Sequence, residues 1–480
     1  MVFDAIFQRF VEAAPACVMH RVLMENIFAP EKLDRLFRDV AQVQYERELL
    51  FSTVVELTSQ VVCRLSKNTR LAYLAQRDRI SVSIQAFYDK LQSIELETSQ
   101  ALVRFTAQQA GELIDHCDGM RQPLLKGYRT RILDGNHLGK TNHRLKVLRN
   151  TKAGALPGQA LVLLDPQRML IDEVVLCEDG HAQERSLLDQ VLPLLAKNDL
   201  VIADRNFCTL AFLFGIKSHR ARFIIREHRV MPSKSLGKPR YLGLSETGRV
   251  YEEPIKLRDP RTDGTTQVRR ITIRSQTATR DWDQEIHVLT NLPSKVSAVR
   301  VAALYRQRWT LEQAFNELTT HLRCELNTLG YPKAALFSFC VAASSYNVLA
   351  ALKGVLRGVR CEEKVEREVS NFCLTNEILS VYGGMMVAPP PKKWEKFQKM
   401  RMAKLAEHLL QWGSGADLSR YAKHPRGPKK PKGKLPSARA KHVATSKLLE
   451  QQRCLKNRRN DKRIPVLNHL ERAGWKPMPR

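Results

Sequence analysis

The sequence DLVIADRNF, at residues 199–207, places a short apolar run directly before a carboxylate, Asp204. An apolar run of this length with polar residues at both ends predicts a buried β-strand. Helical patterns flank it at residues 184–196 and 208–219, and a further strand is predicted at residues 221–226. Strands that alternate with helices indicate an α/β sheet that contains parallel strands.

Other strands are predicted on both sides of this segment. TRILDG, at residues 130–135, is a short strand that ends in a turn, and β-like runs follow at residues 159–164 and 169–177. A polar, turn-rich region with β-like pieces covers about residues 227–284, and strand signal returns at residues 284–290. This order predicts an α/β fold of the ribonuclease-H type, with a β-rich insertion before its last helix.

The chain is strongly basic. It has 78 Lys and Arg against 49 Asp and Glu, a net charge of +29, so the expected partner is a polyanion, most simply nucleic acid. Residues 421–480 alone carry 18 Lys and Arg against 3 Asp and Glu, a net charge of +15. Because this tail is also rich in Pro and Gly, it is predicted to be a flexible basic arm that contacts DNA. A solubilising tail without a specific role is the alternative.

Several classes of protein are disfavoured by the sequence. The ten cysteines form no CxxC pair, which argues against a zinc ribbon. Residues 334–352 are long and apolar enough to cross a membrane, but they include three Ser, a Tyr and an Asn, so a buried helix is expected. The first residues lack the pattern of a signal peptide. We therefore expect a cytoplasmic protein with no membrane partner.

The N-terminal region is predicted to be helical. Residues 69–80 and 84–94 resemble two helices joined by the turn SVS, with Ser81 or Ser83 capping the second helix. This pair is either a DNA-binding helix-turn-helix or a plain helical hairpin. The predicted organisation is a helical DNA-binding domain at 1–110, a catalytic core at 111–330, a helical C-terminal region at 331–415 and the basic arm at 416–480.

Three carboxylates are candidates for chemistry. Asp134 is expected at the end of the first strand, Asp204 at the end of a later strand, and Glu312 inside a long helix predicted from about Lys295 to Leu322. Strand ends in an open α/β sheet deliver side chains to a common crevice. Converging carboxylates repel each other unless a cation neutralises them, and Mg²⁺ prefers carboxylate oxygens. Taken singly, each acid has a plainer interpretation as a turn, cap or surface residue.

The predicted helix carries a polar stripe. At about 100° per residue, Tyr305, Arg308, Glu312 and Thr319 fall on one side of it. Arg308 could hold a DNA phosphate and Tyr305 could add a hydroxyl donor. The alternative is a simple intrahelical pair between Arg308 and Glu312. Trp309 is expected to pack in the core or at its edge.

Three motifs together resemble a known family. The spacing Tyr305-x2-Arg308-x3-Glu312 matches most of the Tyr-Arg-Glu-Lys signature of the DDE transposases of bacterial insertion sequences. LDGNHLG, at residues 133–139, resembles the motif of their first Asp, and VIADRNF, at residues 201–207, resembles that of their second Asp. The three motifs occur in the same order as in that family.

The resemblance spans roughly residues 120–350 and implies a function. Such a protein cleaves the ends of its own element by hydrolysis and joins the freed 3′-hydroxyls to target DNA, working as a homodimer that pairs two double-stranded DNA ends. It would bind two Mg²⁺ or Mn²⁺ ions. The implied metal-binding and catalytic residues are Asp134, Asp204 and Glu312, and the implied DNA contacts are Tyr305, Arg308, Arg205 and Thr319.

One position departs from the signature. Thr319 stands where the family has Lys, so a hydroxyl replaces a positive charge. Two alternatives to a transposase therefore stay open. The chain could be a metal-dependent nuclease that cuts DNA without joining it, or a transposase-derived DNA-binding protein without catalytic activity.

Overall fold

A computed structural model gives the arrangement of most of the 480-residue chain. It describes residues 5–44, 47–142, 144–146, 149, 154–259, 261–275 and 284–424. The described residues up to Lys423 belong to one compact unit. Ala416 and Tyr421, which open the predicted basic arm, are buried in that unit. From residue 425 onward the predicted arm lies outside the described residues.

Helices dominate both ends of the described chain, and strands lie between them. The α-helices are α1 (Ala5–Ala13), α2 (Pro15–Ile27), α3 (Pro30–Val40), α4 (Phe51–Val62), α5 (Thr69–Ala75), α6 (Ile84–Ser93), α7 (Leu96–His116), α8 (Leu188–Val191), α9 (Leu210–Ser218), α10 (Ala298–Arg306), α11 (Trp309–Thr320), α12 (Pro332–Val359), α13 (Glu362–Glu368), α14 (Asn371–Val387), α15 (Lys392–Glu395) and α16 (Met402–Ser414). The strands are β1 (Arg129–His137), β2 (Gln159–Asp165), β3 (Leu170–Cys177), β4 (Asp199–Ala203), β5 (Arg222–Arg226), β6 (Lys234–Ser235), β7 (Arg240–Ser245), β8 (Gly248–Arg258), β9 (Thr265–Ser275) and β10 (Glu285–Thr290).

The described strands form one mixed sheet with a large helical layer, so the fold is mixed α/β. Nine strands lie in the order β3-β2-β1-β4-β5-β10-β9-β8-β6, and β7 pairs with β8. Strands β1, β4 and β5 are parallel neighbours, and the remaining pairs are antiparallel. The strands predicted as an insertion therefore continue the central sheet through β10 and do not form a sheet of their own.

The apolar runs of the sequence become the central strands. Every residue of β2 and of β4 is buried, as expected for strands covered on both faces. The turn between β2 and β3 is closed by Asp165, whose carboxylate accepts a hydrogen bond of 2.8 Å from the backbone N–H of Gln167. The helix predicted at residues 184–196 is broken: α8 has 3₁₀ turns on either side, and the later turn contains Pro193.

Helix α12 is the centre of the helical layer. It contacts α2, α4, α6, α7 and α16, so the N-terminal and C-terminal helices share one hydrophobic core. Among the described residues, α12 is the one helix that is long and apolar enough to cross a membrane, and 94% of its apolar window is buried inside the protein. This agrees with the buried helix expected for residues 334–352.

Helix α6 begins where the sequence predicted. The Ser83 hydroxyl accepts a hydrogen bond of 3.2 Å from the backbone N–H of Ala86 and caps the helix. Phe87 and Leu91 are buried in the shared core, so one face of α6 is occupied by packing. The preceding helix, α5, has seven residues. The helix-turn-helix remains a prediction.

The prediction of a single long helix from about Lys295 to Leu322 is wrong. The chain forms α10 and α11, separated at Gln307 and Arg308. At this point the backbone N–H groups of Gln307 and Arg308 bond three residues back, to the carbonyls of Leu304 and Tyr305, as in a 3₁₀ turn. The tighter turn changes the direction in which the following side chains project.

Candidate active site

Two of the predicted carboxylates lie next to each other because of the register of two parallel strands. Leu133 of β1 is paired with Ala203 of β4, so Asp134 and Asp204, which follow them, are neighbours at the same edge of the sheet. The expectation that β1 ends at Asp134 is wrong, because β1 continues to His137 in antiparallel pairing with β2. Asp134 instead lies where β1 loses β4 as a partner.

An arginine follows at the same edge. Ala203 of β4 is paired with Ile225 of β5, so Arg226 stands beside Asp204. The side chain of Arg226 is close enough for its positive charge to lower the pKa of the Tyr305 hydroxyl, against the larger effect of burial. This edge of the sheet therefore presents two carboxylates and one guanidinium, from three adjacent strands. This contribution of Arg226 was not predicted, although ARFIIR ends in a charged residue just as DLVIAD does.

The third carboxylate, Glu312, is linked to this edge by Arg308, which forms ion pairs with both Glu312 and Asp134. One guanidinium nitrogen of Arg308, Nη1, lies 3.3 Å from Oδ2 of Asp134, and the other, Nη2, lies 2.7 Å from Oε1 of Glu312. The Arg308 side chain is 12% exposed, against 20% for Asp134 and 36% for Glu312. We call this arrangement the Arg308 clamp. The intrahelical pair between Arg308 and Glu312 is thus present, and it is extended to a second acid from β1.

The environment makes Asp134 difficult to ionise. The pKa of its carboxyl is raised from 3.8 to about 6, chiefly by burial, with smaller contributions from the nearby carboxylates of Asp204 and Glu184. The backbone N–H of Gly135 and the guanidinium of Arg308 oppose this rise. A carboxylate with a perturbed pKa at a charged sheet edge is a common mark of a functional site.

Tyr305 faces the acids and leaves little surface for DNA. It is 8% exposed, and its hydroxyl donates a hydrogen bond of 3.4 Å to Oδ1 of Asp204. Burial and the charge of Asp204 both raise the pKa of the Tyr305 hydroxyl, so it stays protonated and able to donate. Arg205 is half-buried in the 3₁₀ turn directly after Asp204.

Thr319 lies farther along α11. It is exposed, and its hydroxyl bonds back to the carbonyl oxygens of Phe315 and Asn316 in its own helix, at 3.1 Å each. This local bonding is usual for a Thr inside a helix. The structure therefore separates Thr319 from the Arg308 clamp, which lies at the other end of α11.

Of the two positions expected for Trp309, the core and its edge, the structure excludes the core. Its side chain is 59% exposed, and the Arg308 guanidinium lies over its ring, 5.2 Å from the ring centre. An exposed indole thus stands beside the Arg308 clamp.

The sequence also gave no sign of Glu184. This residue lies in the turn after β3, and its carboxylate fills the space that a Cβ atom on Gly135 would need. Its charge contributes to the raised pKa of Asp134. Glu184 is distant in sequence from all three motifs, so spacing alone could not connect it with the site.

The donor chemistry of this edge suits a divalent cation that prefers oxygen. Asp134, Asp204 and Glu312 offer carboxylate oxygens, the ligands that Mg²⁺ and Mn²⁺ favour. Within the described part of the chain, however, no three or more His, Cys, Asp or Glu side chains are gathered closely enough to hold one ion. The positive charge between Asp134 and Glu312 is supplied by Arg308.

Comparison with known proteins bears on this site. Residues 126–348 match the family model described as "Transposase DDE domain". The matched segment contains the three carboxylates and Arg308, and the match supports a DDE transposase. No curated protein matches the chain.

One solved structure is a distant match to this chain. It is described as "Cryo-EM structure of piggyBac transposase synaptic complex with hairpin DNA (SNHP)". It shares 9% sequence identity with this chain, at a TM-score of 0.35, and the alignment covers 96% of this chain and 88% of that chain. A TM-score this low does not establish a common fold.

Proposed function

We propose that this protein is a transposase of the Tyr-Arg-Glu-Lys group that binds the ends of its own insertion sequence, cleaves them by metal-dependent hydrolysis and joins the 3′-hydroxyls to target DNA. The observation that carries the proposal is the register that sets Asp134 beside Asp204, with Glu312 brought to them by Arg308. All four residues lie inside the segment that matches the transposase DDE domain.

The element order supports a ribonuclease-H-like core. Three antiparallel strands, β1 to β3, are followed by a helical segment, β4, α9 and β5, with β4 and β5 parallel to β1. This is the order predicted from the sequence. The strands β6 to β9 then lie between that core and the helices that carry Arg308 and Glu312.

The carboxylates would hold Mg²⁺ or Mn²⁺, with two ions expected. When bound, such ions polarise a phosphate and favour attack by water or a 3′-hydroxyl. The Tyr305 hydroxyl would orient Asp204 through the hydrogen bond already present. Arg308 pairs with both Asp134 and Glu312. If those carboxylates bind a metal ion, the guanidinium of Arg308 has the donors needed to hold a DNA phosphate.

The partners follow from charge and from the proposed reaction. A net charge of +29 suits binding to double-stranded DNA at the element ends and at the target. We propose that Arg205 adds to these contacts from the turn after Asp204, that Thr319 contacts the backbone as the substitute for Lys, and that the protein acts as a homodimer. The proposed location is the bacterial cytoplasm, in association with the nucleoid.

Cleavage of DNA that carries the native flanks of the gene tests this function. Purified wild-type protein, Asp204→Asn and the control Asp118→Asn are incubated with that DNA and Mg²⁺. Discrete nicks at both flanks, and products joined to a second DNA, are expected for the wild type and the control. Asp204→Asn should bind the ends and leave them uncut, because one carboxylate is missing. Asp118 is an exposed residue in the turn after α7, outside the predicted DNA-binding domain and the carboxylate site.

The same experiment separates the two alternatives. Nicks without joined products would indicate a nuclease that lacks strand transfer. End binding without nicks, in Mg²⁺ and Mn²⁺ alike, would indicate an inactive copy, with Thr319→Lys the first change to try. If Asp204→Asn cuts as well as the wild type, the assignment of Asp204 is wrong.

A further inference from the structure

Glu184 connects the two chain segments that carry Asp134 and Asp204. It begins the 3₁₀ turn Glu184–Leu187 after β3, and its side chain is 13% exposed. A carboxylate that is mostly shielded from water needs hydrogen-bond donors or cations beside it to stabilise its charge. Its partners come from both acidic segments.

The first partner lies just after Asp204. Nδ2 of Asn206 donates a hydrogen bond of 2.9 Å to Oε2 of Glu184. The neighbouring Arg185 supports the same turn, since its Nε donates a hydrogen bond of 2.9 Å to the backbone carbonyl of Asn206. The turn that follows Asp204 is therefore held through its side chain and its backbone at once.

The second partner lies just after Asp134. Nε2 of His137, in the last residue of β1, lies 3.5 Å from Oε1 of Glu184. The same carboxylate packs against Gly135, where any larger residue would collide with it. Glu184 thus contacts β1 on one side and the turn after β4 on the other. Both contacts are with residues that lie far from Glu184 in the sequence.

We propose that Glu184 is a positioning residue whose carboxylate ties the end of β1 to the turn after Asp204 and so keeps Asp134 and Asp204 in register for a shared cation. The consequence for metal binding rests on the proposed function. The tie itself does not, because it is a property of the fold. No role in contact with DNA or with the reacting atoms is assigned to Glu184.

The tie is tested by hydrogen–deuterium exchange of the full-length protein. Glu184→Ala should speed exchange about tenfold at the amides of residues 205–208, because the charge-assisted hydrogen bond that holds this turn is lost. Glu184→Gln should restore most of the protection, since its side-chain oxygen can still accept from Asn206. Glu173→Ala is the matched control: Glu173 is 14% exposed and pairs with Arg104 at 2.7 Å, away from the site.

Metal binding gives a second readout. Titration with Mn²⁺, followed by the electron paramagnetic resonance of free Mn²⁺, should show weaker binding for Glu184→Ala by about tenfold, with Glu184→Gln close to the wild type. DNA binding in gel-shift assays should be equal for all three. A residue with a merely structural role would not give this selective loss and rescue.

Three results would overturn the inference: unchanged exchange in Glu184→Ala, equal impairment of Glu184→Gln, or the same effect in Glu173→Ala. Should Glu184→Ala fail to fold, Asn206→Ala removes the tie from its exposed side and must give the same change in exchange. A wild-type protein that never cleaves DNA would refute the proposed function, while the exchange result would still decide the tie.

Discussion

Removing the charge of Asp134 should make the protein more stable at neutral pH. Its carboxyl has a pKa of about 6 in the folded protein against 3.8 in the unfolded chain, chiefly because it is buried. Each tenfold difference in an ionisation constant corresponds to about 1.4 kcal/mol. The rise from 3.8 to about 6 therefore amounts to about 3 kcal/mol of lost stability at pH 7.

The pH range follows from the direction of the shift. Below about pH 3 the carboxyl is protonated in both states and no stability is lost. As the pH rises, the unfolded chain releases its proton first, so the free energy of unfolding falls until about pH 6 and then levels off. Asparagine at this position carries no charge and has no such dependence.

Urea denaturation in EDTA, followed by circular dichroism, measures the effect. At pH 7.5 Asp134→Asn should be more stable than the wild type by 1 kcal/mol or more, with about 3 kcal/mol as the upper limit. At pH 3 the difference should be close to zero. The exposed Asp78→Asn should match the wild type at both pH values. A difference that does not change with pH, or a less stable Asp134→Asn, would refute the reasoning.

Three further outcomes are expected. Gly135→Ala forces the Glu184 carboxylate out of its place and should lower stability by about 1–3 kcal/mol in the same urea assay, and less so when combined with Glu184→Ala. Arg308→Gln removes the cation that lowers the pKa of Asp134, so the pH at which stability levels off should move upward. Deletion of residues 425–480 should weaken DNA binding and flatten its dependence on salt; unchanged affinity at all salt concentrations would make the tail a bystander.

The local features of the fold were predictable from the sequence. The strand at residues 199–203, its parallel neighbour at 222–226 and the cap by Ser83 all follow from short-range patterns of apolar and polar residues. The neighbourhood of Asp134 and Asp204 also follows, because parallel strands bring their carboxyl ends to one edge.

Features that depend on distant contacts were not predictable. The turn between α10 and α11 has no Gly or Pro to mark it. Glu184 meets Gly135 only because the segment that follows β3 folds back against β1. Glu184 and Gly135 are far apart in the sequence, so no periodic pattern of residues connects them.

The continuity of the sheet limits how the insertion can be exchanged. Strands β8 and β9 bond to β10, and β10 bonds to β5, which ends at Arg226 beside Asp204. Cutting out residues 234–275 would leave β10 with an open edge and a row of unsatisfied backbone groups. A chimera that borrows this segment from a relative would need its strand pairing as well as its loops. The insertion is therefore a structural extension of the catalytic sheet and not an interchangeable cassette.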